Sequence, residues 1–166
     1  MIINWIALYG KIETADGTVK HIPIPVAAEA PGTTQIPFSL ARSNIQFESG
    51  NISFEVYLKD ANSKCQLGLN QALPTEIYAG LNTGAPYGIS LFTNRKWETL
   101  ATTGFGDPPP INQWIAVKLK VIGSSIELFV NEVKVCTATT NVLKSQIGIL
   151  FQSNTEITVI NFSVES

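Results

Sequence analysis

Histidine, cysteine and charge are all scarce in this sequence, and each scarcity narrows what the chain can do. A single histidine, His21, leaves no multi-histidine metal site and little choice of partner for a histidine-based catalytic dyad. Charged residues make up 14% of the 166 residues, against about 25% in an average soluble domain. Much of the surface must therefore be Asn, Gln, Ser and Thr, which hydrogen-bond neutral partners well. The formal charge of −2 gives no long-range field to steer polyanions, so nucleic acid is not an expected partner. No run approaches the roughly 18 apolar residues of a spanning helix. The apolar start, Ile2 to Leu8, has no basic residue ahead of it, since the first is Lys11, and it reads as a strand and not as a signal peptide. The expectation is a soluble, cytoplasmic chain that does not enter a membrane. Neither a linker nor an internal repeat divides the sequence, so residues 1–166 are expected to form one domain, long enough for a stable core.

Helical periodicity is missing as well. Apolar residues recur at two and not at three and four, the period of half-buried strands. Trp114 to Ile122 sets Ile115, Val117, Leu119 and Val121 against Ala116, Lys118 and Lys120. Ile126, Leu128 and Val130 continue the pattern after a Gly123 turn, and Asn131-Glu132 turns the chain into Val133 to Thr139. Ile147 to Gln152 and Glu156 to Val164 supply two more strands. Upstream, Asn51 to Leu58, Cys65 to Asn70, Glu76 to Leu81, Tyr87 to Phe92 and Lys96 to Thr103 follow at the short, regular spacing of a sandwich or barrel. Asp16-Gly17 marks an early hairpin, and Pro23 to Pro37 reads as an irregular crossing loop. Prolines fall between the runs, where a missing backbone donor does least harm. Cys65 and Cys136 lie inside strands and are expected to be reduced and buried, with a disulfide as the alternative. Trp5 and Trp114, in or beside apolar strands, are assigned to the core.

The stretch from Trp114 to Val135, with Gly148 and the closing Ile160, Asn161, Phe162 and Val164, resembles the second half of concanavalin A-like lectin and glucanase domains, laminin G-like domains among them. A weaker likeness extends from about Phe47 to Ser166. The resemblance implies an all-β fold, a two-sheet antiparallel jelly-roll-like sandwich with one concave sheet. It does not imply an activity, because that superfamily holds lectins, glycoside hydrolases and adhesion modules.

Catalytic signatures are absent too. Glycoside hydrolysis needs two carboxylates about 5 to 9.5 Å apart, and the sequence has no Glu-x-Asp or Glu-x-Glu triplet, although pairs from different strands stay open. A Gly-x-Ser-x-Gly elbow is missing. Asp60, Asn62 and Ser63 are a thin offer for a cation that wants six to eight oxygens and read as a side-chain-stabilised turn; no metal or cofactor is expected. The most suggestive constellation lies on three strands. Gln66, Gly68 and Asn70 share one face, Tyr78, Gly80 and Asn82 the next, and Gly88 and Ser90 the third. Leu67, Leu69, Ile77, Ala79 and Leu81 face the other way. If the strands are adjacent, the glycines leave a trough between polar walls, with Tyr78 or Trp97 as a stacking platform and Asn94 and Arg95 at its rim. The competing explanation is that the glycines only accommodate curvature or close packing. Phe105, flanked by glycines on a loop, is either a recognition tip or a cover for the end of the sandwich. The reading is a non-catalytic module with Gln66, Asn70, Tyr78, Asn82, Ser90, Arg95 and Trp97 as its ligand-binding residues. Its partner would be a carbohydrate; a protein-interaction module and a glycan-cleaving enzyme are the alternatives. Oligomeric state is not legible.

Overall fold

A computed structural model of the chain describes residues 2–24, 36–82, 86–103 and 108–166. Phe105 and most of the Pro23 to Pro37 loop lie outside the described residues. Among those described, β1 (Trp5–Tyr9), β2 (Lys11–Ala15) and β3 (Thr18–Ile22) precede two long strands, β4 (Phe38–Phe47) and β5 (Gly50–Leu58). Then come β6 (Lys64–Leu69), β7 (Thr75–Leu81), β8 (Tyr87–Thr93) and β9 (Lys96–Thr102), followed by β10 (Trp114–Ile122), β11 (Ser125–Val130) and β12 (Val133–Thr139). β13 (Ser145–Gln152) and β14 (Ile157–Glu165) close the chain. They form two seven-stranded antiparallel sheets, in the orders β1-β4-β13-β6-β7-β8-β9 and β12-β11-β10-β5-β14-β3-β2. This is the expected jelly-roll-like sandwich. No helix of the described residues is long and apolar enough to cross a membrane.

The alternation read from the sequence is what closes the sandwich. Ile52, Phe54, Val56 and Leu58 of β5 and Ile115, Val117, Leu119 and Val121 of β10 line one inner face. Leu67, Leu69, Ile77, Ala79, Leu81, Ile89 and Phe151 line the other. Each fully buried Leu or Ile contributes about 1.5–3 kcal/mol relative to exposure, so the inner faces dominate stability. Two-residue turns join several neighbours, with φ above zero at both residues of Asp16-Gly17, Asn94-Arg95 and Asn131-Glu132, the geometry whose twist matches antiparallel strands. Asn131 also accepts a 2.9 Å hydrogen bond from the Ala116 amide through its side-chain oxygen, which holds this hairpin without the usual glycine. Asp60 accepts from the Asn62 amide at 2.9 Å, as the turn reading of that segment requires, and no group of three potential metal-binding side chains occurs among the described residues. Cys65 and Cys136 are both free and buried.

Two expectations need correction. Phe38 to Phe47 is a ten-residue strand that the period-two patterning does not pick out. Its inward positions include Ser39, Ala41 and Ser43, all buried, so small and polar residues hide the pattern. Trp114 is 44% exposed on the outer face of the second sheet, where it meets Tyr57 edge-on at 5.3 Å. Its strand buries the odd-numbered residues, and Trp114 falls in the opposite phase.

His21 bridges the sheets at one end of the core. Its ring is buried and lies 5.9 Å from Phe151. Nε2 donates to the Ser153 carbonyl at 3.1 Å, and Nδ1 sits 2.7 Å from the Ser39 hydroxyl. Because a carbonyl can only accept, Nε2 carries a proton, while the single hydrogen of the Ser39 hydroxyl is shared between His21 Nδ1 and the Lys11 carbonyl 3.0 Å away. Burial holds the His21 pKa below its ordinary value, with the Ser153 hydrogen bond opposing that shift. A base whose folded pKa is depressed contributes stability that is complete above its unfolded pKa, about 6.5, and is lost as pH falls toward the folded value. The urea midpoint of the wild type should therefore drop between about pH 7 and pH 5. His21→Gln should be less stable at pH 7 and nearly flat over that window; an unchanged pH slope in the variant would show that His21 is not the responsible group.

Candidate functional site

The outer face of the first sheet is built from the positions that alternate with its core residues. β6, β7 and β8 are adjacent, and their register sets Gly68 opposite Tyr78, Tyr78 opposite Ser90, Gln66 opposite Gly80 and Gly80 opposite Gly88. These residues share one face, as the period of two dictates. β13 extends it with Gly148 opposite Gly68 and Leu150 opposite Gln66, and β4 adds Arg42 and Leu40 beside them.

The trough read from the glycines is not open as expected. A β-carbon at Gly68 would lie 2.6 Å from the Gln71 side chain, and one at Gly148 would lie 2.5 Å from it. Gln71 leaves the strand after β6 and folds back over both glycines, where it is buried and donates a long, 3.4 Å hydrogen bond to the Tyr78 hydroxyl. Gly80, with φ +150°, places its backbone against the Cys65 carbonyl, 2.6 Å from where a β-carbon would sit. Close packing thus accounts for three of the glycines.

Of the seven residues singled out from the sequence, two, Tyr78 and Trp97, line a cavity on this face. It holds about 320 Å³ between Phe38, Leu40, Leu150, Gln152 and Lys64 on one side and Glu76, Tyr78, Phe92 and Trp97 on the other. Trp97 is 50% exposed. Its ring is held 4.7 Å from Phe92 and 5.3 Å from Tyr78, tilted to both. The Lys64 ammonium approaches the Trp97 ring to 5.6 Å from its centroid. β6 and β9 are three places apart in the sheet, about 14 Å in a flat sheet, so these two side chains lean toward each other over β7 and β8. Burial lowers the Lys64 pKa.

The other residues do different work. Tyr78 is 3% exposed, a support beneath Trp97 and not an exposed platform. Its hydroxyl donates to Glu76 at 3.3 Å, and burial pushes its pKa up to about 12, so the phenol stays neutral. Asn70 adopts φ +53° at the end of β6, donates to the Asn141 carbonyl at 2.9 Å and accepts from the Leu143 amide at 2.8 Å. It ties down the segment before β13 instead of walling a trough. Asn82 is half-buried beyond β7, its amide bonded to the Pro86 carbonyl. Ser90 is buried, and Arg95 sits exposed in the β8–β9 turn with φ +62°. Gln66 is 1% exposed, and its Oε1 has no hydrogen-bond partner.

The sequence reading missed Gln71, Lys64, Gln152 and the β4 residues of this face. Lys64 and Gln152 stand at strand ends in phase with Gln66 and Leu150, a signal that was present. Gln71 lies in a loop, where no periodicity applies. A larger groove of about 450 Å³ beside Trp5, Phe162 and the Asp16–Gly17 turn has no amide or cation in its lining, and Trp5 and Phe162 there pack edge-on at 5.0 Å.

No family model and no curated protein matches this chain. Solved structures share its fold. A carbohydrate-binding module, CBM66, from Bacillus subtilis superposes with a TM-score of 0.71 over 96% of this chain and 92% of its own, at 13% identity. A Bacillus subtilis protein of unknown function with a galectin-like fold gives 0.65 at 12% identity, covering 98% and 88%. A prokaryotic β-1,3-1,4-glucanase (lichenase) derived from a mouse hindgut metagenome gives 0.63 at 12% identity, covering 95% and 90%.

The contrast between Tyr78 and Trp97 is measurable. Truncating a buried aromatic costs about 3–5 kcal/mol, so Tyr78→Ala should lose roughly that much by urea denaturation. Trp97→Ala should lose about 1–2 kcal/mol, the scale of its two aromatic contacts. Equal losses would contradict the assignment of Tyr78 as support and Trp97 as exposed platform.

Proposed function

We propose that residues 1–166 form a single, non-catalytic carbohydrate-binding module of the concanavalin A-like kind, related in architecture to lectin-like and laminin G-like domains, with its ligand seated against Trp97. The observation that carries this reading is the half-exposed Trp97 ring, fixed by Phe92 and Tyr78 at the mouth of an apolar cavity with polar ends. A sugar presents one apolar ring face and a girdle of hydroxyls. Trp97 matches the face, while Gln152, Lys64 and Glu76 supply donors and acceptors for the girdle. The low charge of the whole surface suits a largely neutral ligand. Fold alone does not choose this function, but the likeness to a carbohydrate-binding module accords with it.

The lichenase-like fold keeps a glycan-cleaving alternative in view. Among the described residues lining the cavity, Glu76 is the only carboxylate. Glu98 is paired in register with Leu91, on the opposite face from Trp97. The two carboxylates of glycoside hydrolysis are therefore not brought together there, which favours binding without cleavage.

Stacking on an aromatic ring is worth about 0.5–1.5 kcal/mol beyond area burial, and 1.4 kcal/mol is tenfold in affinity. On a glycan array the wild type should retain a defined subset of oligosaccharides, and Trp97→Ala should bind those about tenfold more weakly by calorimetry. Glu76→Gln should release no more reducing sugar than the wild type, which should release none. Absence of any retained glycan, or full affinity in Trp97→Ala, would refute the proposal.

A further inference from the structure

The charges of the two sheets are disposed differently. Every ion pair among the described residues, Lys11–Glu13, Lys20–Glu156, Lys59–Glu156 and Lys134–Glu127, belongs to the second sheet or its flanks. Among the described residues on the outer face of the first sheet, Arg42 makes no ion pair and its Nε is buried without a hydrogen-bond partner, Lys64 meets the Trp97 ring, and Glu76 accepts from the Tyr78 hydroxyl. A buried N–H left without a partner is costly. The guanidinium also presents a planar fork of donors that matches a carboxylate better than any other side chain does.

Arg42 lines a groove of about 280 Å³ with Asn4, Asn44, Gln146, Ile6 and Leu8. No acidic residue lines it among the described residues. Asn44 uses its side-chain oxygen to accept from the Asn4 amide, which leaves its amide N–H groups as further donors. Arg42, Gly148, Gly68 and Tyr78 stand in one register row across four neighbouring strands, which places the Arg42 backbone about 14 Å from that of Tyr78, while the Arg42 charge still acts on the Tyr78 hydroxyl. Leu40, on the same face of β4 and about 7 Å along it, lines the Trp97 cavity. Groove and cavity thus lie on one face, within the span of a short oligosaccharide.

We propose that Arg42 is the acid-reading subsite of this face, so that the glycan bound there carries a uronic acid whose carboxylate meets the Arg42 guanidinium. This deepens the carbohydrate-binding reading and rests on it. The net charge of −2 gives no field to gather a polyanion, so the matching ligand is a mostly neutral chain with an isolated acid, read at short range by one guanidinium.

The test is an array of uronate-bearing oligosaccharides printed beside their carboxyl-reduced counterparts, probed with wild type, Arg42→Gln and Arg42→Lys. The wild type should prefer an acidic member over its reduced counterpart by about tenfold, the scale of one hydrogen bond to a charged group. Arg42→Gln should abolish that preference while keeping the reduced member, and Arg42→Lys should restore it only in part because the fork is lost. Equal retention of acidic and reduced members by the wild type overturns the Arg42 inference and leaves the module reading standing; retention of no glycan at all overturns both. Arg42→Met supplies the control for folding. Removing an unpaired half-buried charge should leave the melting temperature unchanged or higher, so a marked fall would make Arg42 structural and end the proposal. In solution, the Nε–H signal of Arg42, one of two arginines, should shift with glucuronate and not with glucose or with acetate at equal ionic strength.

Discussion

Burial of two inner sheet faces against each other is the constraint from which the rest of this molecule follows. Alternate residues of β5, β6, β7, β10, β11 and β13 enter one shared core, and the period of two fixes which side chains are left on the outside. A slip of one residue would send Leu67, Ile77 and Ile89 to solvent and bring Gln66, Tyr78 and Ser90 inside. Register, and therefore the composition of the outer faces, is held by the same hydrophobic free energy that stabilises the fold. Any ligand must then be met on an outer face, at an edge or in a loop.

The two outer faces carry different chemistry. The second sheet and its flanks carry the ion pairs of the described residues, contacts worth about 0–1 kcal/mol each, and Lys118 covers Phe129 at 4.6 Å. The first sheet instead gathers aromatic rings, amides, Glu76 and two cations that make no ion pair among the described residues around two depressions. Trp114 on the second sheet and Trp97 on the first are similarly exposed. Trp97 stands over a cavity with amide and charged side chains at its ends, and the functional reading attaches to the first sheet on that ground.

Periodicity made β6, β7 and β8 legible, with the correct division of their residues between core and outer face, because Leu67, Ile77 and Ile89 alternate with polar or small neighbours. The same rule failed for β4, where Ser39 and Ser43 occupy inward positions that are normally apolar; with β4 unread, Arg42 had no place on any face. Tyr78 shows a second limit. Its phase was right, but exposure depends on what lies above the sheet, and Gln71 and Trp97 arrive there from a loop and from another strand. The glycines were ambiguous for the same physical reason: a missing β-carbon makes room either for a ligand or for the protein's own atoms, and at Gly68 and Gly148 the occupant is Gln71.

Polar satisfaction gives the last step. Inside the sandwich, His21, Ser39, Ser63 and Ser153 are buried, and each finds hydrogen-bond partners, His21 across the two sheets. On the outer face of the first sheet, by contrast, lie all three buried side-chain atoms without partners among the described residues: Arg42 Nε, Gln66 Oε1 and Gln71 Oε1. An unmet buried donor or acceptor costs about 1–3 kcal/mol, and apolar residues of similar shape would avoid that cost. A sequence that satisfies its interior polar groups and leaves its buried deficits on one face concentrates its local inconsistency there. Departures from local consistency of this kind gather at functional sites, and that concentration distinguishes this face from the rest of the surface.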